Sequence, residues 1–102
     1  MASRLKLHEE LCKILESRSV YYNPPESVKF KYPCIKYSLS GIDSKRANDK
    51  NYRNTNRYQV IVIDTDPDSD IHEKILASLP MCSFDNSYVA DNLYHKVLTI
   101  YN

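Results

Sequence analysis

RYQVIVIDT, residues 57 to 65, constrains this chain more than any other stretch. Its centre is almost continuously β-branched, so it reads as a central strand covered on both faces. The rest of a 102-residue chain must then assemble around a sheet. Upstream, RLKLHEELCKILES (residues 4 to 17) places Leu7, Leu11, Ile14 and Leu15 at helical spacing. Ser3 suits its N-cap, and the helix is expected to end near Arg18 or Ser19. Val20, Tyr21 and Tyr22 form a short extended piece, which Pro24-Pro25 stops because proline supplies no ladder N–H. Val28 to Leu39 alternates, with Ile35, Tyr37 and Leu39 on one face. Pro33 within it marks an edge, a bulge or a break into two strands.

Between these strands lies GIDSKRANDKNYRNTNR, residues 41 to 57, with almost no apolar content. Its length and lack of period read as a long polar loop, functional or disordered. A hairpin extending the flanking strands is the alternative. Beyond the central strand, DTDPDSD turns the chain into a helix from Asp70 to Leu79, with Asp70 and Glu73 as a capping box and Pro80 as its stop. Strands are expected at Met81 to Asp85 and Leu93 to Tyr101, joined by DNSYVADN. The order of elements describes one α+β domain over residues 1–102, two helices packed with a mostly antiparallel sheet.

Composition excludes several classes. A net charge of +1 provides no bulk attraction to nucleic acid or membrane surfaces, and no apolar run reaches the ~20 residues of a membrane span. Cys12, Cys34 and Cys82 are odd in number and far apart, which predicts reduced thiols packed as small apolar fillers in a cytoplasmic product. The first 17 residues are charged throughout and lack a secretory h-region. Nine tyrosines against two phenylalanines and no tryptophan is the unusual feature. Tyrosine suits a surface that a partner later covers, and it equally suits half-buried strands.

No catalytic or metal constellation emerges. Counted from Asp64 as an EF-hand loop, position 6 is Ser69 in place of glycine and position 12 is Ile75 in place of glutamate. His8, His72 and His95 lie on three different elements without ligand spacing. Cys82 and His95 could meet in space, but no oxyanion loop or nucleophile elbow accompanies them. A single glycine in the chain argues against a phosphate-cradling loop. The expectation is a protein without enzymatic activity, cofactor or metal. Lys45, Arg46, Lys50, Arg53 and Arg57 against Asp43 and Asp49 give the 41–57 segment a net +3. With Tyr52 it could also serve a nucleic-acid-binding module through phosphate contacts and stacking. The acidic run Asp64 to Asp70 supplies a patch of opposite sign, and contact between unlike patches is what closes a ring of subunits.

Two stretches, YNPPESVKFKYPCIKYSL and FDNSYVADNLYHKVLTIY, together with RYQVIVIDTDPDSDIHEKILASLP between them, resemble the tail-terminator proteins of long-tailed bacteriophages. These are also called tail-completion or minor tail proteins, and they occur in prophages and phage-tail-like particles of Gram-positive bacteria. The resemblance spans nearly the whole chain and contains no catalytic motif. It implies a structural virion protein that forms a homo-hexameric ring on the head-proximal end of the tail tube. Such a ring is made in the host cytoplasm, stops tube polymerisation and presents a head-joining surface. Its implied partners are the tail tube protein and a head-completion, connector or sheath protein. DNA passes through its channel without being read by sequence, and no membrane is involved. A head-completion or connector role is the nearest alternative. Six copies of the basic segment gather about +18 at one end of such a ring. Lys45, Arg46, Lys50 and Arg53 are then expected to contact the tube or an adjacent subunit. Tyr21, Tyr22 and Tyr37 are expected subunit contacts, although Tyr37 fits a core position as well.

Overall fold

The computed structural model describes residues 4–25, 29–47, 51–79 and 81–101, with side chains described outside 43–47 and 51–55. The element order is α1 (Arg4–Leu15), β1 (Val20–Tyr22), β2 (Cys34–Ala47), β3 (Asn51–Asp64), α2 (Ile71–Ser78), β4 (Cys82–Ala90) and β5 (Leu93–Tyr101). The fold is α+β, with the five strands in one sheet of order β1-β2-β3-β5-β4. All pairings are antiparallel except that of β1 with β2.

The β-branched stretch does occupy the middle strand, and its register explains the core. Val62 lies opposite Ile35, Val60 between Tyr37 and Leu98, and Tyr58 opposite Ile100. Those side chains form one cluster with Leu7, Leu11 and Leu15 of α1 and Ile71 and Ile75 of α2. Each fully buried aliphatic side chain there contributes roughly 1.5–3 kcal/mol. The sequence led us to expect cover on both faces of β3. The helices cover only one. On the other face Ile63, Cys34 and Val97 are buried, whereas Ile61 is half-buried and Gln59 exposed. Phe30 reaches this face, edge-on to Tyr21 at 4.9 Å and 5.3 Å from the Lys36 ammonium.

Helix α1 stops at Leu15, earlier than expected, because Glu16 takes φ 59° and turns the chain. Ser17 N–H then reaches the Cys12 carbonyl and Glu16 N–H the Lys13 carbonyl, the double bond of a Schellman end. Ser3, the expected cap, lies outside the described residues, as do Val28 and Pro80. Strand β2 begins at Cys34, directly after the cis Tyr32–Pro33 bond, so residues 29–33 precede the strand instead of belonging to it. The capping box at α2 is not made. Asp70 is the N-cap residue but forms no side-chain cap bond, and its carboxylate faces Lys74 at 3.9 Å. The carboxylates of Asp64 and Asp66 instead accept the backbone N–H groups of Asp66 and Asp68, two successive Asx turns that shape the acidic run.

Two corrections concern strand lengths. DNSYVADN does not join two strands. β4 runs on through it to Ala90, leaving Asp91 and Asn92, at φ 53° and 61°, as a two-residue hairpin turn. Likewise, residues 41–57 are not a loop. Apart from residues 48–50, they continue β2 and β3 as a two-stranded ribbon, the hairpin alternative, paired from Gly41 opposite Arg57 to Ala47 opposite Asn51.

Candidate functional site

The ribbon is the most distinctive surface of the molecule. β5 accompanies β3 only as far as Arg57, and β1 accompanies β2 only at Ile35, Lys36 and Tyr37. Beyond those points, among the described residues, two strands continue alone for roughly 20–25 Å at strand rise. They stretch the molecule to 50 × 26 × 23 Å. The junction is marked in sequence by Gly41, whose backbone does not need positive φ. An added Cβ there would meet the Arg57 guanidinium, the far end of a flexible side chain. A bulge at Ser40, whose hydroxyl donates to the Arg57 carbonyl at 2.9 Å, re-aims the strand at the same level.

The register brings the expected basic residues together on the ribbon. Lys45 pairs with Arg53, and Arg46 with Tyr52. Like charges on one rung weaken a ladder, and an isolated two-stranded ribbon is marginal in water. Lys50 lies outside the described residues.

The tyrosines divide. Tyr37, open between core and contact in the sequence, is 2% exposed and belongs to the core. Its hydroxyl accepts from Arg4 at 3.2 Å and is hydrogen-bonded to Nδ1 of His8 at 2.7 Å. Burial, with the Arg4 charge second, holds His8 below its ordinary value of 6.5. Burial also pushes the Tyr37 hydroxyl up. Tyr22 is half-buried, with the Arg4 guanidinium 4.4 Å above its ring and Tyr37 4.9 Å away. Tyr21 is half-buried against Phe30. Sequence reasoning missed the Arg4–Tyr37–His8 chain, although Arg4 and His8 sit four apart on one helix face.

It also missed β4. This outermost strand exposes every residue from Ser83 to Val89, including Phe84, Tyr88 and Val89. Tyr88 stacks on His95 at 4.6 Å and 10°. Its signal was hidden because Asp85-Asn86-Ser87 imitates a turn.

Among the described residues no group of three or more His, Cys, Asp or Glu could hold a metal ion, and no helix is long and apolar enough to cross a membrane. Cys12 and Cys34 are buried and Cys82 half-buried, all three as free thiols. Burial raises each thiol, that of Cys34 to about 11. Cys82 lies opposite Ile100 and His95 opposite Tyr88, so the strand register keeps this pair about 17 Å apart along β5.

No family model matches this chain, and no curated protein matches it. Among solved structures it is similar to a chain described as "Virion of native gene transfer agent (GTA) particle", at 14% identity and TM-score 0.47, over 89% of this chain and 80% of that one.

Proposed function

We propose that this chain is a non-enzymatic structural virion protein of the tail-terminator kind, folding as one domain and assembling as a hexameric ring at the head-proximal end of a tail tube. The observation that carries this reading is the ribbon. A basic two-stranded projection with like charges on one rung gains little from its own subunit and much from a partner surface. The sequence resemblance supplies the identity of that setting. In it the ring halts addition of tube protein and presents the surface to which the head or its completion protein joins. DNA passes through the channel without sequence readout. Lys45, Arg46, Lys50 and Arg53 contact the tube or a neighbouring subunit. Tyr21 and Tyr22, half-buried in the short edge strand β1, add apolar area at the subunit boundary.

The test is tail length in electron micrographs of particles from a lysogen lacking this gene. Overlong, headless tubes are expected. Normal tubes beside unattached heads move the role to head completion, and normal intact particles remove the structural reading.

A further inference from the structure

Among the described residues the sheet ends in two long bare edges. On one side β4 is outermost, bonded to β5 along one edge only. On the other side, β1 stops opposite Tyr37, and from Ser38 to Ala47 the outer edge of β2 has no strand beside it among the described residues. Edges of this kind recruit further strands.

The two edges complement each other. Cys82–Ala90 and Leu39–Ala47 are nine residues each. From Cys82 through the turn to Asn92 the charges are Asp85 and Asp91, with no lysine or arginine, whereas Leu39–Ala47 carries Lys45 and Arg46 against Asp43. Direction agrees as well. β2 is antiparallel to β3, β3 to β5 and β5 to β4, so β2 and β4 run opposite ways. A second copy placed beside the first without inversion therefore offers an antiparallel partner.

We propose that β4 of one copy adds to the bare edge of β2, Leu39 to Ala47, in the next. This rests on the self-assembly in the proposed function and names its main-chain contact. Full overlap sets Ser87 opposite Ile42, Ala90 opposite Leu39, and Asp85 opposite Ser44, one residue from Lys45. The contact gives the ribbon the third strand it lacks. It joins unlike edges, so it propagates from copy to copy and closes into a ring when the rotation permits. Within one subunit the ladder sets Cys82 level with Leu39, through Ile100 and Tyr58. The intermolecular pairing therefore staggers neighbours by about eight residues, ~26 Å along the strands. Stagger between neighbouring strands is what tilts them in a closed barrel. The bulges at Asp85 and Ser40 discourage indiscriminate pairing of the same edges.

The test is disulfide trapping in the full chain. Ile42→Cys with Ser87→Cys, and separately Leu39→Cys with Ala90→Cys, place cysteines on the same intermolecular rungs. All four sites lie outside the hydrophobic core cluster. Under mild oxidation both double variants are expected to lose most of the monomer band to a reducible ladder. Each single variant, and Leu5→Cys with Ser87→Cys as a collision control, should keep its monomer. Equal amounts of the Ile42→Cys and Ser87→Cys single variants should trap only dimers. The proposal is overturned if sizing shows oligomers while neither double variant traps more than the control. It is also overturned if the unmodified chain stays monomeric at every concentration tried. Either result, combined with overlong tails in the deletion particles, leaves the tail-terminator reading standing and removes only this edge pairing.

Discussion

β2 and β3 are each one continuous strand, yet their two halves are different kinds of structure. From Cys34 to Leu39 and from Tyr58 to Asp64 they hold Ile35, Tyr37, Val60 and Val62, all at most 2% exposed, beneath the helices. From Gly41 to Ala47 and from Asn51 to Arg57 the same ladder continues with almost no apolar side chains. Backbone pairing is common to both halves, so pairing alone does not decide stability. Burial separates them. The lower half is held by side chains removed from water, and the ribbon by hydrogen bonds whose net value is small.

The comparison can be broken most forcefully in the lower half. Ile35→Ala, at a position with no exposure, should cost about 3 kcal/mol in chemical denaturation. Thr55→Ala in the ribbon should stay within about 0.5 kcal/mol in the same experiment. Equal losses would make the two halves one cooperative core and overturn the distinction.

Tyr37→Phe removes the hydroxyl between Arg4 and His8 while keeping the ring in the core, and should cost about 1–2 kcal/mol. Tyr22→Ala should also destabilise the isolated subunit, because its ring packs on Tyr37 and under Arg4. On the proposed reading, its effect on oligomer formation is larger still.

Acid should act on the body through His8. Its folded value lies below 6.5, so the folded state takes up a proton less readily than the unfolded chain. The stability contributed by neutral His8 is complete above about pH 6.5 and is lost as pH falls through the folded value. Denaturation midpoints between pH 7.5 and 5 should fall less steeply in His8→Gln than in the unmodified chain. Identical slopes would assign the pH dependence to other groups.

Smaller effects sharpen the junctions. Glu16→Gly should raise stability by about 0.5–1 kcal/mol, since glycine takes the left-handed conformation at the end of α1 without a Cβ penalty. Gly41→Ala should cost less than about 1 kcal/mol, because the group it meets is the far end of a flexible arginine. A larger loss would show that Arg57 is held rigidly at the base of the ribbon.

Periodicity and β-branching were enough to read the two helices, the central strand and the α+β class from the sequence, because burial writes itself into spacing. The fate of Leu7, Leu11 and Val60 was legible for that reason. The ribbon was legible only as the alternative to a loop, since its residues carry almost no hydrophobic pattern to find. The second half of β4 escaped because Asp85-Asn86-Ser87 imitates a turn inside an exposed strand. The place of Tyr37 was undecidable from alternation alone. Tertiary packing put its ring in the core and gave its hydroxyl two polar partners from α1.

By itself, the sequence determined which segments must hide from water and the sign of charge on those that need not. The tertiary structure decided which strands stand next to one another. It left β4 and the outer half of β2 as bare edges, because strand order depends on long-range pairing that no local pattern encodes.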